Sequence, residues 1–264
     1  MRYLLLCVPC LFSYISPTKA QILQAKYDYI LSEMATYEEH IYVENGRKIS
    51  IRDSVRVNKV ETEHMQSDDD MYSSSISLVI DAGKNFRKII IQNNDGKDLI
   101  ETASFENNNY LLTDKDFPTL IWDTNFDEEE KFGSYTCKKA VANYRGTKLI
   151  AYYSTEIPVS AGPYKFNGLP GLIVMVYNEA AYPNYWLLKE VQYPYVGDIP
   201  MDEKYIHSLP KLTLEAYVKK EEDKNEQQLR MMRSKLPEGV EMEPTSSKKV
   251  RGSVEQIYEW EIAE

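Results

Sequence analysis

The sequence predicts a mainly β (α+β) fold: a strongly curved antiparallel sheet or partly open barrel, with a helix near the C-terminus. Three observations carry that reading. From about residue 26 to 193 the chain is a series of short runs rich in Ile, Val, Tyr and Thr, separated by turn residues at antiparallel spacing. No long helical period interrupts them, which argues against βαβ units and the nucleotide-binding folds built from such units. After Pro210 the pattern changes to a polar, helix-forming stretch.

In chain order, residues 1–20 come first and read as a cleavable export signal. Arg2 supplies a positive start, Tyr3 to Phe12 an apolar stretch, and Thr18-Lys19-Ala20 a small-residue cut site, so cleavage is expected between Ala20 and Gln21. The apolar stretch is about 10 residues where roughly 20 span a bilayer, and Pro9 interrupts it. The sequence thus predicts a periplasmic or secreted chain with no transmembrane segment in its mature part. Neither Cys7 nor Cys10 sits in a lipid-attachment pattern.

The strands follow. Ile41 to Glu44 and Lys48 to Ile51 flank Asn45-Gly46, a pair suited to a tight turn with positive φ, and so read as a hairpin. Asp95-Gly96 separates Phe86–Ile91 from Leu99–Phe105, and Asn107-Asn108-Asn109 returns the chain into Tyr110-Leu111-Leu112. A third hairpin brackets Arg145-Gly146, between Tyr135–Val141 and Leu149–Tyr153.

Next comes the stretch Ile157 to Ile173, where three of the eleven glycines and three of the twelve prolines fall. Proline presets φ and glycine admits positive φ, so this segment reads as an irregular but rigid loop. It feeds Leu172–Tyr177, an unbroken apolar run of strand length expected to be covered on both faces.

The hexapeptide Gly168-Leu169-Pro170-Gly171-Leu172-Ile173 resembles the signature of the GLPGLI family of exported bacterial proteins. The likeness continues through Ile157-Pro158-Val159, through Gly162-Pro163-Tyr164-Lys165-Phe166 and through Tyr135-x-Cys137-x-Lys139-Ala140, and more loosely over most of residues 21–195. Lys138 stands where the family often has Gln. The resemblance implies a protein of the Gram-negative envelope and carries no activity, cofactor or catalytic residue.

Thr213 can cap a helix from about 214 to 235, with Glu215 in its first turn and Pro237 beyond its end. Its middle, Lys219 to Gln228, holds no apolar residue, so only Leu214, Tyr217 and Val218 at one end and Leu229 and Met232 at the other can dock. Residues 238–264 read as a linker followed by a candidate last strand, Val254–Trp260. The organisation is then 1–20 signal, 21–200 antiparallel β domain with the motif, 201–237 helical segment, and 238–264 linker and strand.

Charge narrows the partners. Loss of residues 1–20 removes Arg2 and Lys19, so 31 basic and 41 acidic residues become 29 and 41, a formal charge of −12. Nucleic acid and anionic membrane surfaces repel such a chain. The runs Asp68-Asp69-Asp70 and Asp127-Glu128-Glu129-Glu130 lack the spaced oxygens and turn glycine of a calcium loop and read as solvated. Cys137 is the one cysteine of the mature chain, so no internal disulfide forms there.

No catalytic residue, metal site or cofactor is expected. His40, His64 and His207 stand in no catalytic motif, and nucleophile-elbow, zinc-protease and phosphate-loop patterns are absent. The candidate site residues are those of the motif: Tyr164, Phe166, Gly168, Leu169, Pro170, Gly171, Leu172 and Ile173. Two readings compete, a loop that plugs the core and a rigid rim of a binding groove. Ten aromatic residues between Tyr152 and Tyr195 suit the second. Cys137 is the candidate thiol. On a strand Lys139 shares its face and Lys138 does not, and a lone strand cysteine more often packs as a small hydrophobe.

The expected function is a non-catalytic envelope binding or accessory protein, holding an apolar ligand in the sheet's concavity or assisting outer-membrane transport. The alternative is a periplasmic hydrolase acting on peptide or glycan. The architecture resembles that of periplasmic lipoprotein carriers, a likeness of shape that assigns no function.

Overall fold

The computed structural model describes residues 21–31, 35–57, 87–93, 99–115, 117–180, 183–235, 251 and 253–262. The expected signal, the 68–70 acidic run, His64, the Asp95-Gly96 turn and most of the expected linker lie outside the described residues.

The described residues form one sheet of twelve strands: β1 (Ile22–Leu31), β2 (Ala35–Glu44), β3 (Arg47–Val57), β4 (Lys88–Gln92), β5 (Leu99–Phe105), β6 (Asn108–Asp114), β7 (Glu129–Phe132), β8 (Tyr135–Tyr144), β9 (Thr147–Ser154), β10 (Leu172–Asn178), β11 (Asn184–Tyr195) and β12 (Lys211–Thr213). Their order is β12-β6-β5-β4-β3-β2-β1-β11-β10-β9-β8-β7. Every pairing is antiparallel except β12 with β6. The mainly β, antiparallel reading therefore describes this fold. The sheet stays open, with β12 and β7 as its edges.

Turn chemistry explains the hairpins. Asn45 and Gly46 both have positive φ (50° and 78°), as do Arg145 and Gly146 (44° and 76°), the conformation whose twist matches the flanking strands. Between β5 and β6 the same role falls to Glu106 and Asn107 (50° and 65°), one residue earlier than the asparagine run suggests. Asn tolerates the left-handed region better than most residues.

The curl of the sheet is fixed by contacts between strands that lie far apart in its order. β6 and β9 are eight spacings apart, about 38 Å in a flat sheet. Yet the guanidinium of Arg145, in the β8–β9 turn, sits 2.9 Å from the carboxylate of Asp114 at the end of β6. Only a barrel-like wrap brings them together.

Inside the wrap lies the motif segment itself. Tyr164, Phe166, Leu169, Leu172 and Ile173 pack with Tyr27, Ile41, Leu99, Ala142 and Trp186, so strands from both halves of the sheet meet on the loop. The outer face of β3, β4 and β6 carries a second apolar layer, Ile49, Ile51, Ile89, Ile91 and Leu111. It is covered by the stretch from Tyr195 to Leu209, including Ile206 of α1 (Glu203–Ser208).

Helix α2 (Leu214–Ser234) is capped by Thr213, whose hydroxyl accepts from the Ala216 amide at 3.1 Å. Leu214, Tyr217 and Val218 dock against Ala103 and Leu112. Leu229 and Met232 at its far end are exposed. No helix among the described residues is long and apolar enough to cross a membrane.

The expected last strand requires correction. Residues 253–258 pair with no strand, and Glu259–Ile262 form a single helical turn, α3. The amides of Gln256 and Ile257 both donate to the Arg145 carbonyl, a turn and not a ladder. The buried positions are Val254, Glu255 and Tyr258, which do not alternate. The apolar residues there are anchors for a tail laid across the wrap.

Candidate functional site: buried charges around the motif loop

The loop is held by two sets of ionic groups that the sheet directs inward. The first comes from β2 and β3. Glu39 accepts from Ser50 Oγ (2.7 Å), Arg52 Nη2 (2.7 Å), Trp186 Nε1 (3.1 Å) and the Tyr164 amide. Tyr164 has φ of 52°, strained for a residue with a side chain, and its amide bond to Glu39 helps to hold it there. Lys48 is buried and donates to three carbonyls of the loop: Gly162 (3.0 Å), Tyr164 (3.0 Å) and Phe166 (2.8 Å). An ammonium has three protons, so each finds one acceptor.

The second set surrounds Lys165, whose side chain is fully buried. Its Nζ lies 3.1 Å from Glu101, 3.0 Å from Glu255 and 3.9 Å from Asp114. Arg145 forks onto both oxygens of Asp114 (2.9 and 3.0 Å) and reaches Glu255 at 2.6 Å and Glu259 at 3.0 Å. Lys88 lies 3.1 Å from the second oxygen of Glu101. Three cations thus face three buried carboxylates, with the half-exposed Glu259 at the rim.

Burial alone would raise the Glu255 carboxyl, but Lys165 and Arg145 hold it far below the usual carboxylate range. Glu101 is likewise lowered against burial, by Lys165 and Lys88, and Glu39 by Arg52. Asp114 is raised, because burial outweighs its bonds to Arg145. Burial pushes Lys48 down to about 7, with Glu39 opposing. A carboxylate with a lowered folded pKa stabilises the fold above its unfolded pKa, near 4.5, and that contribution is lost as the pH falls through the folded value. Asp114 acts in the opposite sense. Three lowered groups against one raised in these two sets, with Glu190 (lowered) and Glu221 (raised) elsewhere opposing each other, predict a stability that declines steadily below about pH 4.5. Urea unfolding between neutral pH and about pH 3 checks this, and an unchanged midpoint over that span would contradict it.

Of the residues singled out by sequence, Tyr164, Phe166, Leu169, Gly171, Leu172 and Ile173 are brought together in the interior, whereas Gly168 and Pro170 lie on the surface. Gly168 has φ of 92° and donates its amide to Ser160 Oγ at 3.2 Å. The Trp186 ring stacks on Tyr29 (4.4 Å between centroids) and packs edge-on to Phe166 (5.3 Å). Tyr153, Tyr164, Phe166 and Trp186 thus fill the core, while Tyr177 and Tyr185 stack on the opposite face of the sheet. Sequence reasoning missed Glu39, Lys48, Arg52, Glu101, Asp114, Arg145 and Glu255. The one signal for them was Lys165, a charge set inside an otherwise apolar and conformationally fixed motif.

Cys137 packs on that opposite face with Tyr152 and Val174 and is fully buried. Burial, with the Glu156 charge, pushes its thiol up to about 11. Lys139 shares its face but is engaged by Glu128 at 2.8 Å. Thiol titration at neutral pH is expected to label the folded chain at least about 100-fold more slowly than the unfolded chain. Rapid native labelling would restore a reactive role.

The two described histidines, His40 and His207, do not converge with these groups. His40 bonds Glu38 at 2.8 Å, and His207 is on α1 beside a shallow depression lined by Met201, Asp202, Glu203 and Lys204. Among the described residues, no three His, Cys, Asp or Glu side chains are placed to hold a metal ion.

Residues 142–175, from the end of β8 through β9 and the loop into β10, match a family described as Protein of unknown function (Porph_ging). No curated protein matches the chain. Among solved structures, the chain is similar to PNGF-II in its P21 crystal form at 12% identity, with a TM-score of 0.47 over 76% of this chain and 33% of that one. The C2 form gives 14% identity and a TM-score of 0.44, over 76% and 32%. The chain thus spans about a third of the length of those structures, and neither likeness bears on its chemistry.

Proposed function

We propose that the chain is a non-catalytic binding or accessory protein of the bacterial cell envelope, one that meets a macromolecular partner and does not enclose an apolar small molecule. One observation carries this reading: the hollow of the curled sheet is filled by the chain's own segment from Ile157 to Ile173. An apolar ligand in the concavity would have to displace Tyr164, Phe166 and Leu169 together with the Lys48 bonds that hold them. The predicted export signal supports the envelope location, and assistance to outer-membrane transport is the finer form of the proposal. A hydrolase acting on peptide or glycan is less well supported. Its acid pair would need access to substrate, while Glu101, Asp114 and Glu255 are buried and bound to Lys165 and Arg145.

Native mass spectrometry of the protein purified from its own envelope tests the proposal. The bare chain, or the chain with another polypeptide, is expected. A retained apolar small molecule would sink it, as would turnover of peptide or glycan that disappears in Glu101→Gln.

A further inference from the structure

Glu255 enters the interior on a tail that adds no strand to the sheet. Between Ser253 and Ile262 the described backbone bonds to the rest of the chain are those of Gln256 and Ile257 to the Arg145 carbonyl, at 2.8 and 2.9 Å. The tail is held mainly by side chains: Val254 in the core, Tyr258 with its ring 4.9 Å from the Arg145 guanidinium, and Glu255. Four donors from other elements converge on that carboxylate. One oxygen accepts from Tyr144 Oη, Arg145 Nη1 (2.6 Å) and Lys165 Nζ (3.0 Å), the other from Tyr164 Oη (2.8 Å) and Lys165 Nζ (3.2 Å). Two cations and two phenols aimed at one carboxylate form a receptor for that group.

The receptor is built to survive without its occupant. With the tail withdrawn, Arg145 loses Glu255 and Glu259 but keeps both oxygens of Asp114, and Lys165 keeps Glu101. Neither cation is left alone in the interior, so the cost of withdrawal is well below that of orphaning a buried charge. Removing the tail also breaks no ladder.

We propose that Tyr144, Arg145, Tyr164 and Lys165 form a carboxylate-binding site, that the C-terminal tail plugs it with Glu255, and that an acidic segment of another polypeptide can take the tail's place. Val254 and Tyr258 define the segment it accepts: an apolar residue just before the acid and an aromatic residue three positions after it. Because the resident tail is tethered, a competitor faces an effective concentration on the order of millimolar. The incoming segment therefore needs contacts beyond the acid itself. This deepens the accessory reading by naming the partner's chemistry, but a retained apolar ligand would sink that reading and leave the site intact.

The test uses full-length Glu255→Ala, in which the missing group matches acetate. Acetate, compared with chloride at equal ionic strength, is expected to raise its melting midpoint by about 3 °C or more and that of the unaltered protein by less than about 1 °C. A synthetic peptide covering residues 251–264 should bind Glu255→Ala, and the same peptide carrying Glu255→Gln should bind at least about 10-fold more weakly. If Glu255→Ala does not fold, hydrogen exchange on the unaltered protein decides. The Gln256 and Ile257 amides should exchange about 100-fold faster than those in the middle of β1 and β2. Equal effects of acetate on both proteins, peptide binding indifferent to the carboxylate, or tail amides that exchange only with global unfolding would each overturn the proposal.

Discussion

Lys165→Met is expected to lower the free energy of unfolding by about 3–5 kcal/mol at neutral pH, the range for breaking a buried ion pair by removing one partner. Methionine nearly matches the lysine stem in volume, so little of the loss comes from a cavity. What changes is charge. Lys165 sits among Glu101, Glu255 and Asp114; without it, Glu255 keeps Arg145, but Glu101 is left with Lys88, a partly exposed partner at 3.1 Å. The deficit has a pH signature. Glu101 no longer has the cation that chiefly lowers its pKa, so it takes up a proton at higher pH in the variant than in the unaltered chain. The stability difference should therefore shrink as the pH falls toward about 4, because protonation relieves the orphaned charge. Urea unfolding of both proteins at several pH values gives the comparison. A loss under about 1 kcal/mol, or a loss independent of pH, would mean that Lys165 is not the keystone of the cluster.

The same residue shows what the sequence could and could not convey. Hairpin turns were legible, because Asn45-Gly46 and Arg145-Gly146 are local devices whose effect needs no tertiary context. The helix was legible for the same reason, through Thr213 and the polar run that follows. The interior was not. In β3 the alternation Lys48-Ile49-Ser50-Ile51-Arg52 marks two faces without saying which is enclosed. In the molecule Ile49 and Ile51 lie under the 195–209 cover on the outer face, and Lys48, Ser50 and Arg52 face the loop. Alternation reveals two faces but not which one a wrapped sheet encloses, since that depends on covers supplied from distant parts of the chain. The carboxylates that hydrogen-bond Lys165 are 64 and 90 residues away in sequence. No periodicity links such positions, so the charge cluster could be seen only once the fold was in place. The tail failed for a related reason, since Val254 and Tyr258 look like strand residues until the side-chain receptor between β6 and the β8–β9 turn is known.

The motif glycines differ in kind, and that difference gives the second large effect. Gly171→Ala is expected to cost about 3–5 kcal/mol, at the far end of what single substitutions do. A Cβ there would lie 2.2 Å from the carbonyl oxygen of Ser154 and 2.7 Å from its carbon, both backbone atoms that no rotamer change can clear. Ser154 is where β9 pairs with Leu172 at the start of β10. Relief requires parting the two strands at that point, which draws Leu172 and Ile173 from a core where both are fully buried. Leu172→Ala, which removes the same side chain without touching the backbone, should cost roughly 2–5 kcal/mol. Gly168 presents a different problem. Its φ of 92° disfavours any side chain, but a Cβ would meet only ordinary contacts, the nearest 3.7 Å away at the Leu120 carbonyl. Gly168→Ala should then lose about 1–2 kcal/mol, a conformational penalty alone. The expected ranking is Gly171→Ala at or above Leu172→Ala, and both above Gly168→Ala. Denaturant unfolding of the three variants measures it directly. If Gly171→Ala unfolds within about 1 kcal/mol of the unaltered chain, or if Gly168→Ala proves the more damaging, then close approach of β9 to the loop is not what the second glycine of the motif provides.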